Sequence, residues 1–274
     1  MDKIRRNERM STMMRLLAGA PNRIFTLSHF CTLFGSAKST MSEDVDLLKE
    51  TCAEFDLGEV ETVTGASGGV RYRPTVSREK ALEYITDLCR RLSGNERVLP
   101  GGFLYYSDIL STPDTVNRMG EIIATEYYGC EPDFVLTMET KGIPVAFATA
   151  HALGVPLVIA RHSSKVYEGS AVNINYVSGS GNIEMMSLSR RAVRENQKAL
   201  IVDDFLRGGG TAKGMVELMR EFNVRVVGMA FVMAAASPEK KRITGAKALM
   251  SLSMTDGEAP LAVVQPAEWL TDPV

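Results

Sequence analysis

Cysteine, histidine and net charge are all scarce in this chain, and each shortage removes a class of function. The four cysteines, Cys31, Cys52, Cys89 and Cys130, are widely scattered. They form no C-x-x-C pair and have no histidine pair at zinc spacing, so they read as reduced structural residues. The three histidines, His29, His151 and His162, form no visible catalytic set, and the first two stand in apolar stretches where packing is their expected role. Net charge is only −2, which advertises no nucleic-acid partner, although a total can conceal an uneven distribution. The N-terminal residues lack the apolar run and small-residue cleavage site of a secretion signal, and a cytoplasmic protein is expected. One uncharged stretch, Ile143 to Ala160, is 18 residues long and raises the question of a membrane span. Pro144, His151 and the Gly154-Val155-Pro156 break divide it into a helix over Val145–Leu153 and a strand over Leu157–Ala160, so no membrane contact is expected.

What is present is concentrated in thirteen residues, ALIVDDFLRGGGT, from Ala199 to Thr211. Ala199 to Val202 are apolar, which predicts a strand buried in a parallel sheet. Asp203 and Asp204 then stand at its carboxyl end, where open α/β sheets place ligands. Gly208, Gly209 and Gly210 permit positive φ and a backbone cradle for an anion, and Thr211 is expected to cap a helix through Met215 to Phe222. Neither Gly-x-x-x-x-Gly-Lys-Ser/Thr nor Gly-x-Gly-x-x-Gly is formed, so the two common nucleotide motifs are excluded here. An ordinary strand, turn and capped helix is the plain alternative. The pattern resembles the phosphoribosyl pyrophosphate (PRPP) signature of type I phosphoribosyltransferases. By that resemblance Asp203 and Asp204 accept the ribose hydroxyls, while Phe205, Leu206, Arg207, Gly208, Gly209, Gly210 and Thr211 wrap the 5′-phosphate.

A second strand-to-helix turn follows the predicted strand Phe134–Met138: Glu139-Thr140-Lys141-Gly142. It resembles the pyrophosphate loop of the same enzymes, which assigns Thr140, Lys141 and Gly142 to the diphosphate; a surface turn is the alternative. Arg161, His162 and Lys165 add positive charge at the end of the next strand. The segment from Ser163 to Ser189, with Ser178-Gly179-Ser180-Gly181, resembles the mobile hood of that fold and is equally consistent with a solvated insertion. Tyr105 is a further pocket candidate. PRPP is expected to arrive with Mg2+, no protein side chains alone forming a metal site.

The first forty residues carry Lys3, Arg5, Arg6, Arg9, Arg15, Arg23 and Lys38 against Asp2 and Glu8. Apolar spacing predicts a helix over Ile4–Leu17, a second over Leu27–Phe34, and a third after Gly35-Ser36 with Ser39 or Ser42 at its cap. Glu59–Val63 and Val70–Arg73 flank a glycine-rich tip and predict a hairpin. Together these form a winged helix-turn-helix. A recognition helix enters the major groove by its amino end, so Ser36, Lys38, Ser39 and Thr40 are candidate DNA contacts, with Arg5, Arg6 and Arg9 on the first helix and Arg71 and Arg73 on the wing. Glu43, Asp44 and Asp46 are expected to face away from DNA or to cap the helix dipole. A small helical dimerisation domain is the alternative.

From Ser77 strands and helices alternate, which predicts a doubly wound parallel sheet. The fold class is therefore α/β, with a winged helix-turn-helix over 1–74 and a phosphoribosyltransferase-like effector domain over 75–274. The combination resembles the purine operon repressor family of Gram-positive bacteria. Ser36-Ala37-Lys38-Ser39, Gly68-Gly69-Val70, Pro100-Gly101-Gly102, Thr140-Lys141-Gly142-Ile143-Pro144, Glu168-Gly169-Ser170, Ile174 to Ser180 and the Asp203 motif carry the resemblance. It implies a homodimer that represses purine synthesis and salvage genes by binding double-stranded DNA, with PRPP as the inducer and no transferase role. The alternatives are a xanthine or adenine phosphoribosyltransferase with an extra domain, and a nucleotide-binding scaffold that does not bind DNA.

Overall fold

The computed structural model describes residues 4–65, 68–164, 169–178, 181–255 and 261–272. The chain forms two compact units, Met1–Ser77 with His151–Gly154, and Arg78–Ala150 with Val155–Val274. No helix is long and apolar enough to cross a membrane among the described residues.

The first unit contains α1 (Arg6–Ala18), α2 (Leu27–Phe34), α3 (Lys38–Glu54), β1 (Glu59–Val63) and β2 (Gly69–Arg73). On α3 the buried residues Met41, Val45, Leu48 and Cys52 recur at helical spacing and form one stripe. That stripe meets Met13 and Leu17 of α1, Phe30 and Phe34 of α2, and Val60 and Val70 of the hairpin in a single core. The hairpin is antiparallel from Glu59↔Arg73 to Val63↔Gly69, and Phe25 adds a bridge to Val70. Gly35 ends α2 with φ at 60°, a left-handed position that favours glycine and turns the chain into α3.

Several expectations change in this unit. The N-cap of α3 is Ala37, without a side-chain cap, so Ser39 lies in the first turn and Ser42 further inside. Asp44 turns into the domain. It is 1% exposed, and its two oxygens accept from Arg6 Nε at 2.9 Å and Arg9 Nε at 2.7 Å. Arg9, 6% exposed, also donates to the Ile4 carbonyl. The ion pair thus holds α1 to α3. His29 is exposed rather than packed, with its ring against Phe25 and Phe30.

The second unit opens with α4 (Arg78–Leu92), the short antiparallel pair β3 (Val98–Leu99) and β4 (Phe103–Leu104), α5 (Ser107–Leu110) and α6 (Pro113–Tyr127). It continues through β5 (Phe134–Met138), α7 (Ile143–Leu153), β6 (Leu157–Ala160), β7 (Ala171–Val177), β8 (Ile183–Ser189), β9 (Lys198–Leu206), α8 (Gly210–Glu221), β10 (Arg225–Ala235), β11 (Ala246–Met254), β12 (Ala262–Pro266) and α9 (Glu268–Thr271). The central sheet has the order β12-β11-β10-β9-β5-β6. Its neighbours pair in parallel except β11 and β12, so one edge is antiparallel to the predicted pattern.

Strand order reverses between β5 and β9, because β6 adds on one side and β10 and β11 on the other. The carboxyl ends of β5 and β9 therefore open on a topological switch point, where a crevice forms. All five residues of β5 are buried, as a central parallel strand requires. β7 and β8 form a separate antiparallel ribbon, bridged to the sheet at Arg161↔Ser187. Its β8 partner strand was not anticipated from the sequence.

Breaking a buried ion pair from one side leaves the other charge unpartnered, at a cost of about 3–5 kcal/mol. Asp44→Ala should accordingly accelerate hydrogen exchange along α1 and α3, whereas Asp46→Ala, which removes an exposed pair with Lys49, should change it by less than about 1 kcal/mol. Equal effects of the two substitutions would contradict this role for Asp44.

Candidate functional site

β9 runs on through the acidic pair to Leu206 rather than ending before it, with Asp203 in register with Phe231 of β10. Between β5 and β9 the pairing extends only to Leu136↔Ile201. Beyond it the strands leave Thr137 and Asp203 facing one another, the Thr137 hydroxyl 3.5 Å from Asp203 Oδ1. The Asp204 backbone N–H donates to the same oxygen at 3.0 Å. Asp203 is 7% exposed. Burial, followed by the neighbouring charge of Asp204, raises its pKa well above the ordinary carboxylate range.

The loop after β5 approaches this carboxylate from the facing side. A Cβ built on Gly142 would overlap Asp203 Oδ1 and come within 2.6 Å of Thr137 Oγ1. Only glycine lets the loop close there. Thr140 and Lys141 are exposed, and the Glu139–Thr140 peptide bond is cis. Glu139 ties this loop to the end of β6: its Oε1 accepts from the His162 N–H at 2.6 Å, and its Oε2 lies 3.5 Å from Arg161. Arg161 is therefore at the edge of the crevice, already engaged with a carboxylate. Lys165 lies outside the described residues, as do residues 179–180 of the expected hood.

On the other loop, Arg207 is exposed, while Leu206 is buried against Ala212 and Phe231 and belongs to the core rather than to a ligand surface. Gly209, with φ at 80°, is the N-cap of α8, so Thr211 stands in the first turn and is not the cap. Its side chain bonds the Tyr176 hydroxyl instead, and that hydroxyl donates to Glu184 Oε2 at 2.9 Å. Burial, then the Glu184 bond, pushes the Tyr176 pKa up to about 12. Gly210 is required for a different reason: a Cβ there would strike the Val177 carbonyl of β7. Gly208 has open space around its missing Cβ and accepts the Arg242 N–H at 2.9 Å through its carbonyl. The glycine run thus serves close packing at Gly210 and leaves open space at Gly208.

Tyr106, which the sequence reading did not name, stands beside the acidic pair. Tyr105 is 45% exposed, whereas Tyr106 is 8% exposed and its hydroxyl donates to Asp204 Oδ2 at 2.6 Å. The Tyr106 ring stacks on Phe205 at 6.1 Å, and Lys141 Nζ lies 5.1 Å from its centroid. Burial, then the Asp204 carboxylate, raises the Tyr106 pKa, so its hydroxyl stays protonated. The available signal was the alternation from Phe103: Leu104 and Tyr106 are buried while Phe103 and Tyr105 are exposed.

In the first unit, a cavity of about 810 Å³ is lined by Arg5, Arg6, Arg9, Thr32, Ser36 and Thr40, among others. Lys38 and Ser39 are exposed at the start of α3. Arg5 is the N-cap of α1 rather than a residue within it, and Arg6 keeps about half its side chain exposed. Arg9 is buried, while Arg71 and Arg73 are half-buried. Arg71 and Arg73 both pair with Glu61, at 2.8 and 3.3 Å, and Arg73 also donates to Asn22. The Arg71 bond, ahead of the other effects, lowers the Glu61 pKa.

Two family models match the chain. "Bacterial purine repressor, N-terminal" matches residues 5–74 and "Phosphoribosyl transferase domain" matches residues 106–267. A protein named as a probable purine biosynthesis transcriptional regulator of Streptococcus pneumoniae is 42% identical, covering 93% of both chains. The purine biosynthesis transcriptional repressor of Bacillus subtilis is 40% identical over 92% of this chain and 88% of its own. The corresponding protein named an activator in Lactococcus lactis is 39% identical over 92% and 94%. Among solved structures, the adenine phosphoribosyltransferase of Rhodothermus marinus aligns with a TM-score of 0.53 at 19% identity, covering 62% of this chain and 99% of that one. That likeness concerns the fold.

A carboxyl whose folded pKa lies above its unfolded value of about 3.8 loses stability as pH rises through the folded pKa. Asp203→Asn should therefore raise the melting temperature of the ligand-free protein at pH 7, and the gain should shrink at pH 4. A pH-independent gain, or a loss, would contradict the assignment.

Proposed function

The chain belongs to the bacterial purine repressor family, and from that premise we propose that it represses purine synthesis and salvage genes and that its 203–211 site senses PRPP as the inducer. It is a regulator of purine biosynthesis with a DNA-binding N-terminal domain. The observation that carries the PRPP reading is the pair of glycine-bearing loops, 139–142 and 207–211, on the two strands that flank the switch point, with Asp203 and Asp204 between them. Such loops offer backbone N–H groups to phosphates, and the acids offer acceptors to sugar hydroxyls.

In this reading Asp203 and Asp204 face the ribose, Phe205, Arg207, Gly208, Gly209, Gly210 and Thr211 belong to the loop around the 5′-phosphate, and Thr140, Lys141, Gly142 and Arg161 face the diphosphate. Magnesium commonly takes one or two carboxylates plus ligand phosphates and keeps several waters. No cluster of three or more His, Cys, Asp or Glu residues is suited to a metal among the described residues. An ion there would be held chiefly by the diphosphate oxygens beside the acidic pair and would offset the diphosphate charge.

Operator binding falls to the exposed residues Arg5, Arg6, Lys38 and Ser39 with the half-buried Ser36 and Thr40, in a homodimer. PRPP weakens DNA binding because it favours a state that holds DNA less well, whatever the structural route. Relatives named both repressor and activator share this architecture; repression follows the Bacillus subtilis relative and the family description.

Fluorescence anisotropy on DNA from upstream of purine genes tests both halves. PRPP with magnesium should release wild-type protein, and Asp203→Ala combined with Asp204→Ala should bind DNA but ignore PRPP. A double variant still released by PRPP overturns the effector assignment. Lys38→Ala and Arg6→Ala should each reduce the salt slope by about 1, and unchanged slopes overturn this docking.

A further inference from the structure

Tyr106 touches all three parts of the proposed effector site at once. Its hydroxyl occupies Asp204 Oδ2, its ring stacks on Phe205, and the ammonium of Lys141 from the facing loop lies over that ring. Each of these groups is one that a phosphorylated sugar needs. A carboxylate oxygen bonded at 2.6 Å to a tyrosine hydroxyl has one of its acceptor directions filled, so a ligand hydroxyl must compete for that direction, and a lysine held over an aromatic face is drawn away from an anion. From this we propose that the Tyr106 hydroxyl is a tethered stand-in for a sugar hydroxyl, a latch on the effector-free site that PRPP must displace to bind. The proposal rests on the PRPP reading of that site.

The segment that carries the latch is closed on itself. Arg97 spans to Asp108 with two parallel bonds, NH1 to Oδ1 at 2.9 Å and NH2 to Oδ2 at 3.0 Å. The Tyr105 N–H donates to the Arg97 carbonyl at 2.7 Å, and β3 pairs with β4 through Val98↔Leu104 and Leu99↔Phe103. Residues 97–108 are thus a stapled loop, with Tyr106 on its inner side and Leu99 and Phe103 exposed on its outer side. Displacing Tyr106 moves the loop as a body. Ligand entry is thereby converted into a change in an exposed apolar arm.

The latch makes a prediction opposite to that for a ligand contact. Removing a residue that helps hold the ligand weakens binding, whereas removing a competitor strengthens it. Tyr106→Phe keeps the ring, its stack on Phe205 and its face toward Lys141, and deletes only the donor.

Isothermal titration of the full chain with PRPP and magnesium should give a Kd about tenfold lower for Tyr106→Phe than for wild type, the scale of one hydrogen bond to a charged group. Hydrogen exchange of wild-type protein should in addition rise across 97–108 when PRPP is bound. A Tyr106→Phe affinity equal to or weaker than wild type overturns the latch while leaving the effector site standing, as does unchanged exchange in 97–108 with PRPP bound. Failure of wild-type protein to bind PRPP at all overturns the latch together with the PRPP reading.

Discussion

A carboxylate buried at the end of a parallel strand, with a second carboxylate next to it, is the constraint around which the C-terminal unit is arranged. Asp203 is poorly solvated and its charge opposes that of Asp204, which is why its proton is held so firmly. Few protein groups compensate: one backbone N–H and a distant threonine hydroxyl for Asp203, and one tyrosine hydroxyl for Asp204. The arrangement works against stability in the free protein and favours whatever brings donors to both acids. That is the expected balance in a binding site, where local rules are broken for function. Gly142 shows how tight the tolerance is, since one added carbon on the facing loop would collide with the same carboxylate.

The first unit uses its charges in the opposite sense. Arg9 is sequestered by Asp44, and Arg71 and Arg73 by Glu61, so much of the basic character of the sequence is spent holding helices and hairpin together. Among the residues left outward, Arg5, Arg6 and Lys38 stand near the entrance of α3, where Arg5 and Arg6 line a concave surface with Ser36 and Thr40. Phosphate contacts position a protein on DNA and need exposed charge. The buried Arg9 contributes by tying α1 to α3, on which the placement of the exposed arginines depends.

Local features were legible in the sequence, and partners distant in the chain were not. The strand at Phe134–Met138, helix α2 over Leu27–Phe34 and the hairpin could be read because periodicity and glycine breaks are local signals. The DDFLRGGGT segment was legible as a strand, an acidic pair and a glycine turn into a helix for the same reason. Tyr106 could not be matched to Asp204 because 98 residues separate them, and Arg9 could not be matched to Asp44 across 35. The glycines were credited to phosphate binding alone, whereas Gly210 is also demanded by the Val177 carbonyl of a ribbon whose second strand was not foreseen. Thr211 had the chemistry of a cap, but the helix began earlier at a left-handed Gly209, and its hydroxyl went to Tyr176.

The central claim is that effector and DNA are linked through one protein, and linkage is reciprocal: a ligand that weakens DNA binding must itself bind the DNA complex more weakly by the same factor. The most direct measurement is therefore the affinity of PRPP for the full chain, free and then saturated with operator DNA, at one salt concentration. The account predicts that DNA raises the PRPP Kd by the same factor by which PRPP raises the DNA Kd. Equal PRPP affinity in the two states would contradict it.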